Sequence, residues 1–299
     1  MTITRELTLA FAPPLDTAAL LDHFARRAIP GIEAVSGARY VRSLSLAGGP
    51  AVAALTLPGA GPAGPAPRGV RASLVLADAA DETAAIALLR ALLDLDADPD
   101  AVTIALGPDP LIGAPVAAAP GRRVPGAAGA TELALRALLG QQISLAAAAT
   151  AAGRLVAAHG ARLPEPLLRV DPAVTHLFPT AGALAAIDPT TLPMPRSRGR
   201  ALVGLAAALT DGLESLLRRG GDGPAARGAL LALPGIGPWT ADYVVMRVLG
   251  DHDVLLATDL GIRRALQRAG LDGSPRAIAA LGERWRPFRS YAMQYLWTL

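Results

Sequence analysis

The residues best placed to do chemistry lie between Leu230 and Arg264, in the run LLALPGIGPWTADYVVMRVLGDHDVLLATDLGIRR. A helix ends at Leu233, Pro234-Gly-Ile-Gly reads as a tight hairpin, and Pro238 suits the first position of a second helix. Two glycines let the chain turn sharply and leave its backbone bare. The amides of Gly235 and Gly237, at a helix N-terminus, can then point outward and hold a phosphate without regard to base sequence. Ile236 would plug the space between the helices. Alone, such a hairpin serves equally as an ordinary glycine corner. Downstream, VLLATDLGI puts Asp259 at the head of another helix, where free amides and the helix dipole stabilise an anion. There it can cap the helix, a task Thr258 could also perform, or lend a permanent negative charge to a reaction.

The rest of the composition narrows that chemistry. All 28 basic side chains are Arg, with no Lys, so no lysine Schiff base can form and an amine nucleophile would have to be the N-terminus. The chain has no Cys, which removes disulfides, thiol nucleophiles, zinc–thiolate sites and Cys-ligated iron–sulfur clusters. Its four His (His23, His159, His176, His252) are scattered, so no metal site is expected from side chains. A net charge of +3 permits a nucleic-acid partner without demanding one. With 52% apolar and 18% charged residues over 299, the chain can bury one large core or two. Apolar runs break before the roughly 20 residues of a membrane span, and no secretory signal is visible. A soluble cytoplasmic monomer with no membrane partner is expected.

Two regions must position these residues. Up to residue 97 the chain mixes strand and helix patterns. Thr2–Phe11, Ala38–Leu46, Ala51–Leu57 and Val70–Ala77 alternate as strands, and Pro58–Gly69 is a Pro/Gly-rich surface connection. Asp16 opens a helix running to Ala28, and Asp81 opens another. This predicts a small antiparallel sheet with helices on one side. From residue 98 to 299 the apolar period is almost wholly helical, broken at Gly and Pro. Helices are expected over Ser197–Leu217, Ala225–Leu233, Trp239–Leu249 and Asp259–Ala269, among others. The fold class is therefore α+β, a sheet lobe followed by an all-helical body with its hairpin at about 230–245.

LPGIGPWTA, with Asp259 at its spacing, resembles the helix-hairpin-helix superfamily of base-excision DNA glycosylases. The likeness extends to the 3-methyladenine-DNA glycosylase II (AlkA-type) branch through ALRALLGQQISLAAAA (Ala134–Ala149), ERWRPFRSYAMQYLW (Glu283–Trp297) and an N-terminal FAPPLD…FARRAIPGIE…YVRSL that resembles its TBP-like lobe. The resemblance implies a monofunctional glycosylase that flips alkylated purines (3-methyladenine, 7-methylguanine) from double-stranded DNA and hydrolyses the N-glycosidic bond, leaving an abasic site. Asp259 would be catalytic, since a carboxylate suits cleavage in which the sugar gains oxocarbenium character. Trp239, Tyr243 and Trp297 would line the base pocket, where electron-rich rings stack on cationic bases. Gly235, Ile236 and Gly237 would hold the DNA backbone. Gln142 would be the wedge that fills the gap left by the flipped base.

Strand-cutting relatives carry a Lys where this chain has Trp239, which implies no lyase activity. No organic cofactor is implied, but a structural Na+ or K+ could sit on the backbone carbonyls of Leu231, Leu233 and Ile236. The chain departs from the best-known member at Leu260 (Tyr there), His23 (Phe there) and Gln142 (Leu there). Two alternatives stay open: a glycosylase for deaminated or oxidised bases, and a non-catalytic helix-hairpin-helix DNA-binding protein. Arg196, Arg198, Arg200, Arg263, Arg264, Arg286 and Arg289 could meet phosphates or simply be solvated helix faces.

Overall fold

In the computed structural model, which describes residues 2–59 and 69–299, the N-terminal alternation forms strand β1 (Ile3–Ala10). Residues 60–68 of the Pro58–Gly69 connection lie outside the described residues. Helix α1 (Thr17–Ala25) follows, capped by Asp16, whose carboxylate accepts from the Ala19 amide at 3.0 Å. Then come β2 (Glu33–Ser36), β3 (Arg39–Leu46), β4 (Gly49–Thr56), β5 (Gly69–Leu76) and α2 (Glu82–Leu93). The five strands form one antiparallel sheet in the order β1-β5-β4-β3-β2. Four of them coincide with the alternating segments. Strand β2 went unread because four residues carry too short an alternation, and it exists through its pairing with β3.

The body comprises α3 (Pro99–Leu106), α4 (Gly113–Ala118), α5 (Ala130–Leu139), α6 (Leu145–His159), α7 (Glu165–Leu168), α8 (Ala181–Ala185), α9 (Arg196–Ala208), α10 (Glu214–Leu216), α11 (Gly223–Leu231), α12 (Pro238–Val244), α13 (Leu260–Arg268), α14 (Pro275–Gly282) and α15 (Arg289–Leu296). The expected α+β architecture is borne out. Ser144, Thr180, Asp222 and Ser274 cap α6, α8, α11 and α14 with side-chain oxygens, satisfying amides that have no partner inside the helix. The single helix expected over Ser197–Leu217 is interrupted by a wide turn, Leu209–Leu213, where Gly212 takes φ +114, a conformation other residues rarely adopt. A similar wide turn, Val245–Leu249, extends α12 to Gly250.

One face of the sheet packs Tyr40, Leu44, Leu55 and Leu74 on Leu20 and Phe24 of α1 and Leu89 of α2. The opposite face is covered too, contrary to the one-sided expectation: Val41, Val52 and Val75 pack on Leu163, Leu167 and Val174 around α7. Those valines alternate with the residues of the first face, so both faces of the central strands are apolar and each must be covered. Within the body, one core joins α5, α6, α9, α11 and α12, and a second joins α3 and α4 to α13, α14 and α15. Tyr243 of α12 packs against both.

Lobe and body are joined by a buried charge network. Glu132 of α5 accepts from Arg42 of β3 at 2.7 Å and from Arg136 at 2.7 Å. Arg136 also donates to Glu33 of β2 at 2.7 Å and to the Arg27 carbonyl at 2.6 Å, while the Tyr40 hydroxyl donates to Glu33 at 2.6 Å. Among the described residues, no helix is long and apolar enough to cross a membrane.

Candidate active site

A cleft of about 1120 Å³ opens where α1, α5, the α5–α6 loop and the C-terminal helices meet. Asp259, Trp239, Tyr243 and Trp297, separated widely in sequence, all line it. Asp259 is the N-cap of α13, and its Oδ1 accepts from the Ile262 amide at 2.9 Å. The cap is therefore Asp259 rather than Thr258. The same oxygen accepts from Trp297 Nε1 at 3.0 Å, and Oδ2 accepts from Trp239 Nε1 at 2.7 Å. Three N–H donors thus converge on a carboxylate that is only 8% exposed, the bonding pattern of an anion. Each oxygen accepts from the cleft side through an indole, so the carboxylate is held in one orientation with a lone pair of Oδ2 left over. Gly261 permits this approach, because a Cβ there would lie 3.0 Å from Asp259 Oδ1 and 3.2 Å from the Trp297 ring.

Trp239 and Tyr243, four residues apart on α12, stack at 4.9 Å with planes 11° apart. One face of each ring is therefore already in use. Beneath them lies Arg247, which no sequence motif singled out. It is 1% exposed, donates to the Pro125 carbonyl at 2.7 Å, and lies 5.2 Å from the Tyr243 centroid and 5.9 Å from that of Trp297. Its Nε and Nη2 have no hydrogen-bond partner, so the rings are the main neighbours of its charge. Burial would push the Tyr243 hydroxyl up, but Arg247, Arg27 and Arg136 outweigh it and hold it below the usual tyrosine value. Burial and the same three arginines, Arg247 first, hold His23 well below the usual histidine value. His23 lines the cleft as an uncharged ring. Leu260 is 61% exposed and is not among the residues lining the cleft.

The hairpin adopts the conformation its glycines allow. Gly235 takes φ +85 and sits against α9, where a Cβ would come within 2.7 Å of Ala201. Ile236 is buried between the helices. Among the described residues, neither the Gly235 nor the Gly237 amide donates a hydrogen bond. The carbonyls of Leu231 and Ile236 likewise receive none, while that of Leu233 receives the Ile236 amide. Neutral carbonyl oxygens on one turn fit a hard monovalent cation, and the described residues hold no cluster of side-chain metal ligands.

In the α5–α6 loop, Gln142 is exposed and takes φ +60, one of two non-glycine residues in the left-handed region among those described. Its neighbour Gln141 escaped the sequence reading. Gln141 Nε2 donates to the Gly235 carbonyl at 3.0 Å and to Thr240 Oγ1 at 2.9 Å, and its own carbonyl accepts from Arg198 at 2.9 Å. Other basic residues are also accounted for within the fold. Arg286 and Arg289 pair with Asp253 and Glu283.

Comparison with known proteins identifies the family. The family described as AlkA N-terminal domain matches residues 6–129, and the HhH-GPD superfamily base excision DNA repair protein matches residues 135–288. A Mycobacterium tuberculosis protein named probable bifunctional transcriptional activator/DNA repair enzyme AlkA is 46% identical over 295 residues, covering 99% of this chain but 57% of its own length. The chain therefore spans little more than half of that relative. Escherichia coli DNA-3-methyladenine glycosylase 2 is 35% identical over 303 residues, covering 97% of this chain and 96% of its own. The solved 3-methyladenine DNA-glycosylase from Archaeoglobus fulgidus superimposes with a TM-score of 0.80 at 21% identity, over 98% of this chain and 97% of that one, which shows a shared fold. With the two family models matched in order along the chain, the chain belongs to the HhH-GPD superfamily of base excision DNA repair proteins and carries an AlkA N-terminal domain.

Proposed function

We propose that this chain is a monofunctional DNA glycosylase that hydrolyses the N-glycosidic bond of alkylated purines flipped from double-stranded DNA. The observation that carries this reading is the Asp259 carboxylate, held between the indole N–H groups of Trp239 and Trp297 on the cleft wall. A pure DNA-binding module would need only the cap that Oδ1 gives to Ile262, not an Oδ2 held by Trp239 at the cleft wall. As the base leaves, C1′ gains positive charge and the fixed carboxylate stabilises it without reorganising. The free lone pair of Oδ2 orients the attacking water. N-alkylated purines are already good leaving groups, so no general acid is needed. Trp239, Tyr243 and Trp297 form the aromatic side of the pocket, and the uncharged His23 ring lines the same cleft, where it can serve as the flat plate a phenylalanine would offer.

The unpaired amides of Gly235 and Gly237 grip a DNA phosphate, with Ile236 as their plug and a Na+ or K+ on the carbonyls of Leu231, Leu233 and Ile236 steadying the turn. Gln142 enters the stack. The absence of Lys and the occupation of the lyase position by Trp239 make the reaction hydrolytic, and the strand stays intact. The test is release of 3-methyladenine from methylated duplex by wild type and Asp259→Asn, with borohydride trapping alongside. Release that collapses at least a hundredfold in the variant with duplex binding retained is expected, and no trapped adduct. Tight binding without release by wild type would overturn the enzymatic reading, and equal release by both would overturn the role of Asp259.

A further inference from the structure

The hairpin that would hold the backbone and the loop that would enter the stack belong to different helix pairs, yet they are joined at one side chain. Gln141 Nε2 donates across 94 residues to the Gly235 carbonyl and across 99 to Thr240 Oγ1. Gly235 is the left-handed residue of the hairpin, and Thr240 lies in the first turn of α12, next to Trp239. The Gln141 carbonyl is held in turn by Arg198, in the first turn of α9, the helix against which Gly235 lies. Gln141 is thus fixed at both ends by the elements that shape the hairpin. The next residue along is Gln142, exposed and in the left-handed conformation.

We propose that Gln141 is a positioning residue that locks the α5–α6 loop to the hairpin, so that gripping the backbone and displacing the base act as one rigid unit. The inference rests on the reading of Gln142 as the wedge and of the hairpin as the phosphate grip. A glutamine amide suits the task because its two N–H groups can serve a carbonyl and a hydroxyl together, where a carboxylate would face the Gly235 oxygen with like charge. Without the lock, the hairpin still binds phosphate and Asp259 keeps its donors. What is lost is the fixed distance between the held phosphate and the inserted side chain, on which base displacement depends.

The experiment compares wild type, Gln141→Leu, Thr240→Val and the double variant on duplexes with 2-aminopurine beside the lesion, whose fluorescence rises when the neighbouring base leaves the stack. Gln141→Leu should lower the flipping rate about tenfold while its affinity for undamaged duplex stays within about twofold of wild type. Thr240→Val should cause a smaller loss, and the double variant no more than Gln141→Leu alone, because the two residues act through one contact. Release of a lesion placed opposite a one-nucleotide gap, already free of its partner, should match wild type in all four proteins. Additive losses, an unchanged flipping rate, or an equal loss on the gapped substrate would overturn the proposal. Because flipping is read without base release, wild type that flips but releases nothing would sink the glycosylase reading and leave this inference standing.

Discussion

The indole N–H of Trp239 reaches Asp259 Oδ2 at 2.7 Å, the shortest of the three donors to that carboxylate, while the indole ring lies flat on Tyr243. One side chain thus orients the anion with its edge while its ring helps line the cleft. Trp239→Phe separates these tasks, because phenylalanine keeps the stack and loses the donor. A hydrogen bond to a charged group contributes roughly 1.5–3 kcal/mol, so single-turnover base release should fall about 10–100-fold with little change in duplex affinity. An unchanged rate would mean that Trp297 and the Ile262 amide suffice to hold Asp259.

Gln142 carries a backbone cost that a stability optimum would not keep. At φ +60 a side chain costs about 1 kcal/mol that glycine avoids, partly offset by the greater freedom of glycine in the unfolded chain. Gln142→Gly should leave stability unchanged or raise it by up to about 1 kcal/mol, while base release from an intact duplex falls about tenfold. Urea melts and single-turnover kinetics on one preparation test both halves. A variant that is destabilised and fully active would remove the argument that the strain serves base displacement.

The charge network between lobe and body predicts a large stability effect away from the chemistry. Glu132 is the shared acceptor for Arg42 and Arg136, and Arg42 is 3% exposed. Glu132→Leu leaves a buried guanidinium short of its partner and should cost about 3–5 kcal/mol in urea unfolding. Replacing Arg42 by Met in the same protein should restore part of that loss, since the guanidinium, left with only Glu33 at 3.7 Å as its carboxylate neighbour, goes with it. Full retention of stability in the single variant would show that Glu33 or water compensates the Arg42 charge.

His23 makes the fold sensitive to mild acid. Burial, Arg247, Arg27 and Arg136 lower its folded pKa, whereas the unfolded chain has the ordinary value of about 6.5. Above that value neither state takes up a proton and stability is full. As pH falls below it, the unfolded chain binds a proton that the folded protein refuses, and stability declines toward the folded pKa by up to about 1.4 kcal/mol per pH unit. Urea unfolding at pH 7.5 and 5.5 should show this loss in wild type and a smaller one in His23→Phe. Equal pH dependence in the two proteins would place the sensitive group elsewhere.

Much of the scaffold was legible because its signals are local. Alternation over eight residues marks β1, a proline and two glycines mark the hairpin, and an aspartate ahead of a helical period marks the cap of α13. Each depends on dihedral preferences or a hydrogen bond within a few residues. The absence of Lys and Cys excluded whole classes of chemistry before any fold was considered. What the sequence could not show is which distant side chains meet. The short strand β2 exists by pairing, and the second apolar face of the sheet is covered by a segment some hundred residues away.

The site divides in the same way. From sequence alone, Asp259 stands at a helix head and aromatics stand near the hairpin. Only the packing of α12 against α13 and α15 decided that two indoles would aim their N–H groups at that carboxylate, that Gln141 would tie loop to hairpin, and that Arg247 would lie beneath the rings. Hydrogen bonds across 20, 38 and 94 residues depend on where whole helices settle, and that is fixed by the burial of their apolar faces rather than by any motif around the residues that bond.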